Sequence, residues 1–216
     1  MVEHSNLTNI PVVQTFQKLG VEFYKRANVA KIASELLGKV LVSFFDGRIT
    51  SGRIVETEAY AGKIDRASHA WNGRRTARTE IMYGDPGKAY VYLCYGIHQM
   101  FNVVTNKKEI PHAILIRALE PLEGIDIMLQ RAGKKNADFT LTKGPGNVAR
   151  ALGIFTKHTG TSLLGDEIFI ADDDFVVKKK DILITKRVGI DYAGADAELP
   201  YRFILKNNPY VSMTRK

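Results

Sequence analysis

The chain has a single cysteine, Cys94, among its 216 residues. No disulfide can therefore close within it, which excludes a stapled extracellular scaffold. No apolar run approaches the roughly 18 residues that a membrane helix needs. The opening MVEHSNLTNIPVVQ lacks the basic-then-apolar order of a secretory leader. These absences make a soluble, intracellular protein the expectation, cytoplasmic for a prokaryotic source. Repeats, low-complexity tracts and Pro/Gly/Ser-rich linkers are missing too, so the chain reads as one domain, 1–216, with residues 1–19 as a loosely ordered N-terminal segment. The five histidines, His4, His69, His98, His112 and His158, show no zinc-ligand spacing with one another or with Cys94. The H-x-E with P-C-x-x-C signature of zinc deaminases is absent. So are the nucleophile elbow, the Walker loop and the dinucleotide-binding glycine pattern. No metal and no cofactor is expected.

Charge is what the sequence has in excess. It carries 31 Lys plus Arg against 23 Asp plus Glu, a net +8, in a chain that is 45% apolar and 25% charged. That composition is globular. A basic balance of this size suits a polyanionic partner, and equally suits plain solubility. The positions of the basic residues must decide between them.

Along the chain, Asn28 caps a helix running to Leu37, with apolar Val29, Ile32, Ala33 and Leu36 on one face and Gly38 as its stop. Strands are expected over 39–45 and 48–60, joined by Asp46-Gly47, and over 89–93 and 99–105, joined around Tyr95-Gly96. A further strand spans 112–119, then a helix 122–131. A short helix over 147–152 and strands over 167–171, 182–185 and 203–206 complete the reading. Hairpins dominate, without strand–helix alternation. The fold class predicted is α+β, a single mixed domain with a curved, largely antiparallel β-sheet flanked by helices and a protruding β-hairpin.

Three segments concentrate chemistry. In Val55-Glu-Thr-Glu-Ala-Tyr60, period-2 geometry puts Glu56, Glu58 and Tyr60 on one strand face and Val55, Thr57 and Ala59 on the other. Carboxylates at i and i+2 repel, so they ask for a cation, a donor or a reaction, unless they are merely the solvated face of an edge strand. Residues 66–78 read RASHAWNGRRTAR, a loop whose guanidiniums can hold phosphates while a ring such as Trp71, the only tryptophan, stacks on a base. In 90–96, YVYLCYG, Tyr90 reads as core, whereas Tyr95 at a tight turn projects outward as a wedge for base steps. Lys143-Gly-Pro-Gly146 offers either backbone amides to a phosphate or a plain turn, and Lys178–Lys180 reads as a solvated turn. Acids on a strand, a histidine loop rich in Arg and a projecting ring suit an enzyme that levers one nucleotide out of duplex DNA and acts on it.

Glu56-Thr-Glu58-Ala-Tyr60, His69, Arg74, and the run from Tyr90 through Gly96 to Asn102 resemble the alkyladenine (3-methyladenine) DNA glycosylase family. Arg117-Ala-Leu-Glu-Pro-Leu-Glu-Gly124, Gly144-Pro145 and Arg187-Val-Gly189 extend the resemblance, in order, over about residues 20–212. Asn72-Gly-Arg-Arg75 and the short chain are more similar to the bacterial branch. Ile97 and His98 depart from the mammalian pattern beside the wedge, and two extra residues fall within 106–111.

The resemblance implies a monofunctional enzyme acting on double-stranded DNA with damaged purines. It implies release of 3-methyladenine, 7-methylguanine, ethenoadenine and hypoxanthine by a Glu-activated water. Nothing in the sequence suggests more than a monomer, and no membrane or protein partner is expected. Glu58 matches the general base, a choice over Glu56 that belongs to the resemblance. Arg117 and the Val188 carbonyl match the groups that hold the water. Tyr60, His69 and Tyr92 match the rings around the flipped base, and Asn102 the residue that resists the amino group of guanine. Tyr95 matches the intercalating residue, and Arg74 and Arg78 the phosphate contacts. A catalytically silent reader of distorted DNA and an RNA-binding domain are the alternatives.

Overall fold

The structure, a computed structural model, describes residues 17–212. Of the segment expected to be loosely ordered, residues 1–16 lie outside the described residues. Residues 17 and 18 are paired in a strand.

Nine strands form one sheet among the described residues. In chain order they begin β1 (Gln17–Lys18), β2 (Val40–Phe45), β3 (Arg48–Tyr60), β4 (Ala89–Cys94) and β5 (His98–Thr105). They continue β6 (His112–Glu123), β7 (Ile168–Asp172), β8 (Ile182–Thr185) and β9 (Arg202–Leu205). The main order is β1-β7-β2-β3-β6-β5-β4, and every pairing is antiparallel. β3 is the axis. Its first half pairs β2, its second half pairs β9, and β6 runs along the other edge.

Four α-helices accompany it among the described residues: α1 (Val21–Tyr24), α2 (Val29–Glu35), α3 (Ile125–Ala132) and α4 (Pro145–Leu152). The Asn28 side chain accepts from the Lys31 backbone N–H at 2.9 Å, the cap its sequence position predicts. Val29, Ile32 and Ala33 of α2 and Val148, Ala151 and Leu152 of α4 bury against Leu41, Ile54, Phe101, Val103, Ile114 and Ile116. At roughly 1.5–3 kcal/mol for each large apolar side chain, this layer is the main source of stability.

Two register slips then aim the polar face. Pairing jumps at Val55 on β3 and again at Arg117 on β6. Val55 therefore does not share the helix face with Thr57 and Ala59, as strict alternation predicts. It packs with Ala118 and Ile204, the register partners of Glu56, and with Val211. The second slip opposes Arg117 and Ala118 to Glu56, so that the Arg117 guanidinium reaches the glutamates.

Element bounds shift in places. β6 continues through Pro121 to Glu123, so the helix expected over 122–131 begins at Ile125. Pro121 has no N–H to donate, but it sits opposite Gly52 at a slip in the ladder, where the strand survives it. Gly124, at φ 71°, makes the break. A Cβ there would come 2.3 Å from the Ile49 carbonyl.

Candidate active site

The ladder lays Tyr90, Asn102, Leu115, Glu58 and Arg202 side by side across β4, β5, β6, β3 and β9. Four of the five are polar, which is costly for one row of a buried sheet unless each polar atom is partnered. Both glutamates are fully buried, so the edge-strand reading fails.

Glu56 is held on all sides. Its Oε1 accepts from Arg117 Nε and Arg202 Nε, each at 2.8 Å, and its Oε2 from the Ser212 N–H at 2.8 Å and hydroxyl at 2.7 Å. Burial pushes its acidity down, but the two guanidiniums and the Ser212 donors outweigh that, holding the carboxyl below its usual range.

Glu58 is held differently. Its Oε1 accepts from the Val188 backbone N–H at 2.9 Å, and its Oε2 from the Tyr60 hydroxyl at 2.9 Å and Arg117 Nη1 at 3.3 Å. A carboxylate offers about four acceptor sites, so these three donors, the ones found among the described residues, leave one open, on Oε1. Burial, and then the Glu58 charge, push the Tyr60 phenol well above its usual range, which keeps it a donor.

Tyr60, Arg117 and Val188 line a cavity of about 300 Å³, together with His69, Tyr90, Tyr92, Asn102 and Tyr95. Glu58 is not part of the wall but lies directly behind those three. The His69 ring meets Tyr92 edge-on, 4.6 Å between centroids, and its Nδ1 shares a hydrogen bond of 2.7 Å with the Tyr90 hydroxyl. Burial, then Arg78 and Arg74, lower the His69 pKa to about 4, so the imidazole is neutral at pH 7. Tyr90 is buried core, as its strand position predicts, and also faces the cavity. The Asn102 amide donates to the carbonyls of Tyr90 at 3.2 Å and Met100 at 3.1 Å, which fixes its plane.

At the rim, Tyr95 and Gly96 take φ values of 50° and 73°, and the Tyr95 ring is 89% exposed. The arginines separate. Arg75 is paired with Glu80 and Glu109, each at 2.7 Å. Arg74 and Arg78 are exposed and have no ion pair among the described residues. The Arg78 guanidinium lies 6.0 Å from the Tyr92 ring centre.

Several participants were given no role by the sequence. Asp65 holds Arg187 in a buried pair at 2.6 Å, and that guanidinium lies 4.8 Å from the Tyr60 ring centre and donates to the Ala59 carbonyl. The pair fixes Tyr60 and the chain entering Val188. Tyr192, Met100 and Cys94 also line the cavity. No group of three His, Cys, Asp or Glu gathers as a metal site among the described residues, and no helix there is long and apolar enough to cross a membrane. Lys178–Lys180 are exposed, the solvated stretch their sequence suggests.

Comparison with known proteins agrees over most of the chain. The family model for methylpurine-DNA glycosylase matches residues 22–209. A provisionally named 3-methyladenine DNA glycosylase of Desulfitobacterium hafniense is 45% identical over 204 residues, covering 91% of this chain and 99% of that protein. One from Clostridium perfringens is 42% identical over 203 residues, 90% and 98% of the two chains. One from Chlamydia felis is 46% identical over 184 residues, 85% and 93%.

Proposed function

The chain belongs to the methylpurine-DNA glycosylase family, and on that premise we propose that it removes alkylated and deaminated purines from duplex DNA by a Glu58-activated water. As a DNA glycosylase it is a hydrolase of the N-glycosyl bond in base excision repair. Its substrates are 3-methyladenine, 7-methylguanine, ethenoadenine and hypoxanthine. It acts as a monomer in the cytoplasm.

The observation that carries this reading is the one open acceptor site on a fully buried carboxylate, Glu58, behind a cavity walled by Tyr60, His69 and Tyr92. A purine that enters lies among the three rings. A purine alkylated at N3 or N7 is cationic and gains from the ring faces. The neutral imidazole of His69 adds no opposing charge. Asn102, its amide pinned to two carbonyls, cannot swing aside for the exocyclic amino group of guanine.

Water then adds to C1′ as the bond from C1′ to the purine nitrogen breaks, and the base leaves with the electron pair. Glu58 Oε1 accepts the water proton, and its charge stabilises the oxocarbenium character of the sugar. Arg117 and the Val188 carbonyl orient the water. Tyr95 fills the space the nucleotide vacates, and Arg74 and Arg78 grip the phosphates.

The test incubates the chain, and its Glu58→Gln variant, with duplexes carrying 3-methyladenine, ethenoadenine or hypoxanthine, and scores abasic sites. Release by the unsubstituted chain alone is expected. Robust release by Glu58→Gln sinks the mechanism, and no release from any lesion sinks the activity.

A further inference from the structure

Trp71 takes no part in the cavity described above. It is 47% exposed, and it lines a second cavity of about 360 Å³ with Arg66, Ser68, His69, Arg74 and Tyr192. Three of those residues, Ser68, His69 and Tyr192, also line the first cavity, so the two are contiguous across His69. The second cavity is unlike a core void. Two of its walls are large rings left in water, Trp71 and Tyr192, the latter 71% exposed. Two others are guanidiniums, Arg66 and Arg74, that have no ion pair among the described residues.

The local backbone keeps Trp71 there. Its N–H donates to the Ser68 carbonyl at 3.1 Å, and Asn72 and Gly73 follow at φ 54° and 75°, a turn that returns the chain at once to Arg74. On the other wall, the Tyr192 hydroxyl donates to the Ala67 carbonyl at 3.3 Å, so its ring is tied to the same loop.

We infer that this cavity is a second nucleotide subsite, taking the nucleotide that adjoins the flipped one on the same strand. The inference rests on the base-flipping reading of the first cavity. A strand whose base occupies the first cavity must leave it as a phosphodiester. Arg66 and Arg74 stand where that anion emerges past His69, and guanidiniums without carboxylate partners are free to pair with it. The next base has lost a stacking neighbour, and an exposed indole beside the phosphate site offers a replacement face whatever the base. Trp71 thus acts as a positioning residue that holds the damaged strand open.

The test is a binding cycle in the Glu58→Gln background, where lesion DNA is not consumed. Duplexes carry ethenoadenine with a tetrahydrofuran spacer replacing the base on its 5′ side, on its 3′ side, or opposite, and are compared with the intact duplex. Trp71→Ala is expected to weaken binding to the intact duplex roughly 10-fold, and Trp71→Phe much less. With the spacer on one same-strand side, the loss from Trp71→Ala should vanish. An equal loss on every duplex, or coupling only to the opposite-strand position, overturns the subsite. So does unchanged binding by Trp71→Ala. Thermal unfolding guards against a folding defect, and base release by the unsubstituted chain reports separately on the activity itself.

Discussion

Glu56 accepts a hydrogen bond from Arg117 Nε at 2.8 Å, and this bond decides where the rest of the guanidinium points. It turns Nη1 toward Glu58 at 3.3 Å, so one carboxylate aims the cation that steadies the other. The same Glu56 binds Arg202 and Ser212, joining β3, β6, β9 and the segment after β9. Glu56→Ala would leave two buried guanidiniums without that charge, and stability should fall by about 3–5 kcal/mol. Glu56→Gln keeps the volume and one acceptor, so it should lose less. Urea denaturation of the three chains checks the order. Equal stability of the unsubstituted chain and Glu56→Ala would mean that the network is not structural.

Glu58→Gln is the sharpest chemical probe. The amide retains the shape but puts an N–H among donors, and it cannot take a proton from water. Single-turnover base release should fall by about 10²–10⁴-fold, the usual worth of a positioned general base. Affinity for a lesion duplex should stay within about threefold, because glutamine keeps an oxygen for the Tyr60 hydroxyl and no phosphate contact is touched. A matching collapse of binding would instead place Glu58 in holding the pocket's shape.

Tyr95 stands at φ 50° and is 89% exposed, and no hydrogen bond or ring contact among the described residues offsets that arrangement. A non-glycine residue in that region costs roughly 1–2 kcal/mol, and an exposed ring adds no burial. Tyr95→Gly should therefore raise or preserve the unfolding temperature while weakening binding to a lesion duplex. Undamaged duplex binding should change much less. Loss of stability, or unchanged lesion binding, would remove the wedge role.

Local chemistry made much of this legible. Asp46-Gly47 and Tyr95-Gly96 announced their hairpins because positive-φ turns admit few residues. Alternation on β3 put Glu56, Glu58 and Tyr60 on one face, yet gave no means of choosing between the acids. That choice depends on which of them Arg202 and Ser212 saturate, partners 146 and 156 residues away. Arg187–Asp65, 122 apart, was invisible for the same reason. The slips at Val55 and Arg117 arise from packing between strands and left no mark in the pattern. Charge was legible as a sum only. Composition and spacing alone could not divide Arg74 and Arg78, which the resemblance assigns to phosphates, from Arg75, whose carboxylates are Glu80 and Glu109.

That division has a salt signature. Arg74→Ala should reduce the slope of log affinity for duplex DNA against log salt by about one, the release of one counterion. Arg75→Ala should leave the slope nearly unchanged, since its charge already faces Glu80 and Glu109. Measuring both slopes in one buffer series decides the matter. A drop for Arg75 as large as for Arg74 would show that DNA displaces those carboxylates.

His69 gives the acid limb of stability. Burial, with Arg78 and Arg74 adding to it, lowers its pKa in the fold to about 4 from an ordinary 6.5. The folded state therefore binds fewer protons than the unfolded chain between those values. Stability from this group is fully present above pH 6.5 and declines as pH falls toward 4. Burial lowers His112 as well, so the acid limb has more than one source, and the difference between chains isolates His69. His69→Gln has nothing to titrate there, so its unfolding free energy should depend less steeply on pH between 6.5 and 4, while the two chains run parallel above pH 7. The slopes from urea denaturation at half-unit steps report this directly. Parallel curves throughout would mean that the imidazole keeps its ordinary pKa near 6.5 in the fold, and below that pH a cationic purine would meet a charge of its own sign.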